Sequence, residues 1–179
     1  MKTLKETYKA AVPTLKKELG LPNVMAVPRI QKVVVSTGTG RNRDKKRAAL
    51  IEDRLAKITG QKVSPRGAKQ SIASFKLRQG EIIGYTVTLR GEHMWSFLSK
   101  LINVAIPRMR DFRGLETKAI DDMGNFTMGV KEHTIFPETA DEDLKDVFGI
   151  AITIVTSARD KKTSEALLRT IGVPFKKVI

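Results

Sequence analysis

The chain has no cysteine, which excludes disulfides and thiolate metal sites and fits a reducing compartment. Histidine is nearly absent too, with only His93 and His133. A metal site or an acid–base pair needs convergent ligands, and neither imidazole lies in a His-rich spacing. His93 stands one residue before a helical apolar stripe and reads as a surface residue. No stretch approaches the ~18 apolar residues of a membrane span, and MKTLKETYKAAV at the N-terminus lacks the apolar core of a signal peptide. Neither secretion nor a membrane partner finds support. Carboxylates are missing from Arg54 to Gly80, where Arg54, Lys57, Lys62, Arg66, Lys69, Lys76 and Arg78 all occur.

What is present is positive charge, unevenly spread. Lys and Arg number 33 against 19 Asp and Glu, for a net +14. Residues 1–60 carry 14 basic and 5 acidic groups, residues 61–119 carry 11 and 4, and residues 120–179 carry 8 and 10. A surface so biased attracts a polyanion, and each phosphate it neutralises releases counterions, which makes binding steeply salt-dependent. Nucleic acid is the partner this distribution favours over a merely solvated basic face. With 179 residues and 41% hydrophobic content, the chain is expected to form a single domain, 1–179, with an N-terminal half of about 24–80 and a C-terminal half of about 84–179. No internal repeat or low-complexity linker interrupts it.

Apolar spacing predicts the elements. Leu4, Tyr8, Val12, Leu15 and Leu19 recur at helical period, so residues 3–19 read as an amphipathic helix stopped by Gly20. Pro13 predicts a kink or restart within it. Arg29 to Thr37 is β-branched and reads as a strand, followed by a glycine loop. Ile51, Leu55 and Ile58 mark a second helix ended by Gly60. In the next strand Ile83, Tyr85, Val87 and Leu89 face a core, while Thr86, Thr88 and Arg90 face away. A helix over Glu92 to Ile106 buries Met94, Leu98, Leu101, Ile102 and Ala105, and Pro107 stops it. Ile150, Ile152 and Ile154 alternate with Ala151, Thr153 and Val155 in a strand expected to be covered on both sides, and a last helix over Thr163 to Ile171 buries Leu167, Leu168 and Ile171. Strands mixed irregularly with helices predict an α+β fold: an antiparallel-rich sheet with helices packed on one face, a two-layer sandwich whose other face is available for RNA. Loops 41–46 and 64–80 are expected to be mobile.

Few motifs carry chemistry. Gly38 and Gly40 suggest a phosphate loop, but Arg43 stands where a dinucleotide fingerprint needs a third glycine, and Arg41 and Asn42 stand where a P-loop needs Lys and then Ser or Thr. They serve a turn. Asp121 and Asp122 before Gly124 are better read as turn formers than as cation ligands, and Glu138, Asp141, Glu142, Asp143 and Asp146 as a solvated helix start. Neither an active site nor a cofactor is implied. In the loop Arg66 to Arg78, Phe75 and Ile72 sit among Lys69, Gln70, Lys76 and Arg78, a mixture that suits looped RNA, where bases stack on rings and phosphates meet cations. The alternative is that Phe75 anchors the loop to the core. Arg108, Arg110 and Arg113 in PRMRDFRG offer bidentate phosphate contacts or, alternatively, an internal pair with Asp111.

The runs SIASFKLRQG, VTLRG and PRMRDFRG, with NVMAVPRIQKVVVSTGTG, ITGQK, GNFTMGVKE, IFPE and ITIVTSA in the same order, resemble the bacterial-type large-subunit ribosomal protein family L-five, which binds 5S ribosomal RNA. The resemblance implies a non-enzymatic ribosomal component of the cytoplasm or an organelle, acting in translation from the central protuberance of the large subunit. It implies 5S contacts at Ser36, Gln61 and Thr88 on the open sheet face, with Lys32, Lys62 and Arg90 beside them. Ser36 stands where the family usually has asparagine. It also implies a loop reaching P-site tRNA, 68–79, with Lys69, Gln70, Ser71, Phe75, Lys76, Arg78 and Gln79. An intersubunit bridge to a small-subunit head protein would involve Arg110, Asp111, Arg113, Glu138, Asp141, Glu142 and Asp143. Further implied partners are 23S ribosomal RNA and neighbouring large-subunit proteins. A free-standing nucleic-acid module and an RNA-processing enzyme are the competing readings.

Overall fold

The computed structural model describes residues 3–40, 44–110, 112–139 and 147–176. Among these, four α-helices accompany a five-stranded antiparallel sheet, an α+β fold. In chain order the elements are α1 (Leu4–Glu18), β1 (Ile30–Gly38), α2 (Lys45–Thr59), β2 (Ser64–Gly67), β3 (Ile82–Leu89), α3 (Gly91–Lys100), β4 (Phe126–Val130), β5 (Ile150–Thr156) and α4 (Lys161–Ile171). The strands lie in the order β2-β3-β1-β5-β4.

The chain divides into two compact units. One comprises Met1–Val33, Arg90–Met128 and Thr153–Ile179; the other comprises Val34–Leu89 and Gly129–Ile152. In the first, α1 packs against α3 and α4. Leu15, Leu98, Leu101, Phe126 and Leu167 are fully buried, and Phe126 meets the Phe175 ring edge-on at 5.5 Å. In the second, α2 packs on β3, burying Ile51, Leu55 and Ile58 as the helical spacing predicts.

Thr3 starts α1 with a capping box: its hydroxyl accepts from the Glu6 N–H while the Glu6 carboxylate accepts from the Thr3 N–H. Of the kink or restart expected at Pro13, the restart does not occur, because α1 runs through it as one helix. Pro13 is exposed, so water can serve the carbonyl that its missing N–H leaves behind. The third helix is also not uniform. α3 ends at Lys100 and a π-helical turn, Leu101–Ala105, completes the apolar stripe.

Three further expectations are corrected. Segment 64–80 is not loop throughout: Ser64–Gly67 pairs antiparallel with β3. Pro65 is tolerated because β2 is an edge strand with one unpaired side. Thr86 does not face solvent but is buried, its hydroxyl donating to the Val35 carbonyl at 3.3 Å. In β5, Ile150, Ile152 and Ile154 are buried whereas Ala151, Thr153 and Val155 are only half-buried, so one side is covered and the other stays open. β4, where Phe126, Met128 and Val130 alternate with exposed Thr127 and Gly129, is a strand that periodicity did not single out.

Candidate nucleic-acid interface

The open side of the sheet is set by alternation. In β1, Val33, Val35 and Thr37 are buried while Lys32, Val34 and Ser36 are half-buried on the other side. Residues 84–86 of β3 run alongside 35–37: besides the Thr86 bond, a Cβ added to Gly84 would lie 2.6 Å from the Thr37 carbonyl oxygen. Only glycine permits that approach. Thr88, two residues on, is half-buried.

Gln61 reaches this strand from the loop between α2 and β2. The Thr59 hydroxyl donates to the Leu55 carbonyl at 2.7 Å and also to the Gln61 carbonyl at 3.3 Å, fixing the chain as it leaves the helix. Val63, buried, anchors the other end of the turn. Between these anchors the Gln61 carboxamide donates to the Thr88 carbonyl at 3.3 Å. The structure therefore brings Gln61 and Thr88 together, with Lys62 exposed beside them. Arg90 is exposed and extended at the end of β3, where it precedes α3. The polar groups on offer are hydroxyls, an amide and cations, a set that bonds ribose and phosphate oxygens without chemistry of its own.

Beyond β2 the chain prolongs the β2–β3 hairpin. Ala68 and Glu81 remain bonded (2.8 Å), Gly80 donates to Ala68 (3.0 Å), and Ile72 and Leu77 exchange both backbone bonds (3.0 and 3.1 Å). The Ser71 hydroxyl accepts from the Gln79 N–H. At the tip, Ala73–Phe75 forms a 3₁₀ turn and Lys76 adopts a left-handed conformation at φ 51. Phe75 is 71% exposed, so it does not anchor the loop to the core. Lys69, Gln70, Lys76 and Arg78 are exposed around the same hairpin.

Of the bridge residues, Arg110, Arg113 and Glu138 are exposed, and Glu138 lies in a 3₁₀ turn, Pro137–Thr139. Asp111, Asp141, Glu142 and Asp143 lie outside the described residues, as does any pairing of Asp111 with the arginines. Near this turn His133 is completely buried, stacked on Phe148 at 4.1 Å with its Nδ1 accepting from the Phe148 N–H. It is a packing residue, a role its sequence neighbours gave no sign of. Thr127, across from Thr153 with hydroxyls 3.0 Å apart, is an open-face candidate missed along with β4. Asp121 accepts from both the backbone and side-chain amides of Asn125, at 2.6 and 3.0 Å, which confirms it as a turn former.

Among the described residues no group of three or more His, Cys, Asp and Glu is placed to hold a metal ion, and no helix is long and apolar enough to cross a membrane. The family model for ribosomal protein L5 matches residues 23–78, and the model for the C-terminus of the same ribosomal family matches residues 82–175. This chain belongs to the ribosomal protein L5 family. The large ribosomal subunit protein uL5 of Prochlorococcus marinus (strain MIT 9215) is 49% identical, covering 98% of this chain and 99% of the relative. Its counterpart in Desulfotalea psychrophila is 48% identical over 99% and 100%, and that of Ureaplasma urealyticum serovar 10 is 46% identical over 99% and 98%. The two L5 family matches meet at the start of β3, between Arg78 and Ile82, so the open-face residues draw on both.

Proposed function

We propose that this chain, acting as one domain, holds 5S ribosomal RNA on the open side of its sheet and reaches P-site tRNA through the β2–β3 hairpin. As a member of the L5 family it is a structural constituent of the large ribosomal subunit, works in translation beside ribosomal RNA and other ribosomal proteins, and is not an enzyme. The observation that carries the finer reading is the Gln61 carboxamide fixed on the Thr88 carbonyl, next to the stretch of β3 that flanks Ser36. In this reading Ser36, Gln61 and Thr88 read the RNA surface, where ribose hydroxyls are displayed, while Lys32, Lys62 and Arg90 neutralise phosphates. At the hairpin tip, Phe75 supplies a stacking face and Lys69, Lys76 and Arg78 supply charge, with Gln70, Ser71 and Gln79 as hydrogen-bonding groups. Arg110, Asp111 and Arg113, with the acidic residues Glu138, Asp141, Glu142 and Asp143, form the bridge to a basic small-subunit head protein, selected by that negative charge on an otherwise basic chain. The further partners in this reading are 23S ribosomal RNA and neighbouring large-subunit proteins.

The test is a salt titration of binding to 5S RNA against a scrambled RNA of equal length. A preference of roughly 10³ or more that persists as salt rises is expected, and Thr88→Lys or Gln61→Ala should abolish the preference while leaving generic RNA binding. Equal affinities that collapse together with salt, or a uniform loss across RNAs in the variants, would overturn the open-face assignment.

A further inference from the structure

Away from the residues assigned above, α1 and α3 enclose a groove of about 430 Å³ whose lining includes Lys5, Glu92, Trp95, Ser96, Lys100 and Asn103. Its aromatic element is rigid. The half-buried Trp95 ring packs on Tyr8 with centroids 5.6 Å apart and planes 30° from parallel, and Tyr8 is itself held by a 3.1 Å bond from its hydroxyl to the Pro28 carbonyl. One wall comes from the π turn, where the Ile106 N–H reaches back five residues to the Leu101 carbonyl at 2.9 Å. Widened turns of this kind are rare and concentrate at functional sites. This one places Asn103 and Val104 on the groove, leaving Val104 38% exposed, an apolar side chain presented to solvent. Lys5 and Lys100 bring positive charge. Glu92, the one carboxylate among the described lining residues, is paired with Lys5 in an exposed ion pair, which an incoming anion can displace at little cost.

We infer that this groove binds an unstacked nucleotide of a ribosomal RNA loop, its base against Trp95 and its phosphate between Lys5 and Lys100. An indole bordered by two ammonium groups, with the Ser96 hydroxyl and the Asn103 carboxamide, whose amino group donates to the Ser99 hydroxyl at 3.2 Å, within a base edge's reach, is the combination that recognises a splayed-out nucleotide. The hydroxyl, ammonium and carboxamide side chains of the lining outnumber its apolar ones, Leu4, Trp95 and Val104, which favours a nucleotide over an apolar peptide. The site lies wholly within the unit formed by 1–33, 90–128 and 153–179 and shares no lining residue with the 5S assignment, of which Lys32 and Arg90 fall in the same unit and Ser36, Gln61, Lys62 and Thr88 in the other. The nucleotide's source is 5S RNA or the large ribosomal RNA, and both present the same chemistry.

Trp95 is the only tryptophan in the chain, so its fluorescence reports on this groove alone. The full chain is titrated with 5S RNA, with 23S ribosomal RNA and with a fully paired RNA duplex, binding being followed in parallel by filter retention. Saturable quenching by 5S or 23S RNA but not by the duplex is expected; which of the two quenches identifies the source. Ser96→Glu, at an exposed helical position on the groove, would set a carboxylate against the incoming phosphate and weaken the quenching interaction by roughly tenfold or more. Should that variant misfold, Asn103→Ala at the exposed rim serves in its place. Thr88→Lys should leave quenching by 23S RNA unchanged. Binding of both RNAs with Trp95 emission unaltered, quenching that Ser96→Glu and Asn103→Ala leave intact, or quenching by large-subunit proteins without RNA would each overturn the inference.

Discussion

The hairpin extension at 68–81 and the turn at 121–125 are both short, polar and rich in charge, yet they differ in how far side chains hold them. In the hairpin the backbone bonds to itself across Ala68, Ile72, Leu77 and Gly80, and Phe75, Lys69 and Lys76 stay exposed. In the turn two backbone bonds, from Asp121 to Asn125 and from Gly124 to Asp121, are reinforced by side chains. Asp121 accepts from Asn125, and the Thr156 and Ser164 hydroxyls each donate to the buried Gly124 carbonyl at 2.7 Å. The hairpin needs only the Ser71 hydroxyl and the Glu81 carboxylate to support its backbone ladder, so most of its side chains stay at the surface, whereas the turn sits on hydroxyls that are themselves buried.

The largest way to sharpen that contrast is at Gly124. Its φ is +77, and an added Cβ would lie 2.9 Å from the Ala158 Cβ. Gly124→Ala should cost about 3 kcal/mol, combining the left-handed backbone penalty with overpacking, read as a fall in the denaturant midpoint at unchanged m-value. A loss below about 1 kcal/mol would mean that the turn relaxes and is not a rigid joint. Next come the two hydroxyls. Thr156→Val and Ser164→Ala should each cost about 1 kcal/mol, and the double variant more than their sum, because only then does the buried carbonyl lose both donors. Strict additivity in the double-mutant cycle would show the two bonds to be independent.

How much of this was legible depends on which atoms carried the information. The stripes of α2 and α4 and the stops at Gly60 and Gly172 are local patterns, and the structure keeps them. β2 was hidden because Ser-Pro-Arg-Gly is turn composition, and it is a strand only because β3 offers an edge. β4 is five residues with a glycine on its open side, too short for period two to stand out. The π turn continues the α3 stripe without a break in the apolar pattern, so nothing in the sequence marks it. The family signature runs pointed to Ser36, Gln61 and Thr88, but the Gln61–Thr88 bond spans 27 residues and needed the fold.

A smaller effect belongs to the Asp121 carboxyl. It is held below its ordinary value of 3.8, chiefly by the Asn125 side-chain amide and further by backbone N–H groups and Lys161, with burial opposing. A depressed carboxylate contributes stability above its unfolded value and loses it as pH falls through the lower folded value. Wild type should therefore lose stability below about pH 4 more steeply than Asp121→Asn, with the two curves parallel at neutral pH. Parallel curves through the acid range would remove Asp121 from the fastening.

The smallest effect on the fold, and the sharpest on function, is expected at the hairpin. Replacing Lys69, Lys76 and Arg78 by Glu changes side chains whose backbone is held by its own ladder, so stability should shift by no more than about 0.5 kcal/mol. Binding to tRNA should fall and lose much of its salt dependence, since about three phosphate contacts account for a slope near roughly −2 in log K against log salt on a single strand. Binding to 5S RNA should persist, because Gln61 and Thr88 are untouched. Equal loss of both RNAs would mean that the hairpin contributes only bulk charge, and its exposed Phe75 would then need another explanation. Phe75→Ala separates these outcomes without altering charge: a stacking role predicts weaker tRNA binding at every salt concentration, whereas a purely electrostatic hairpin predicts no change at any.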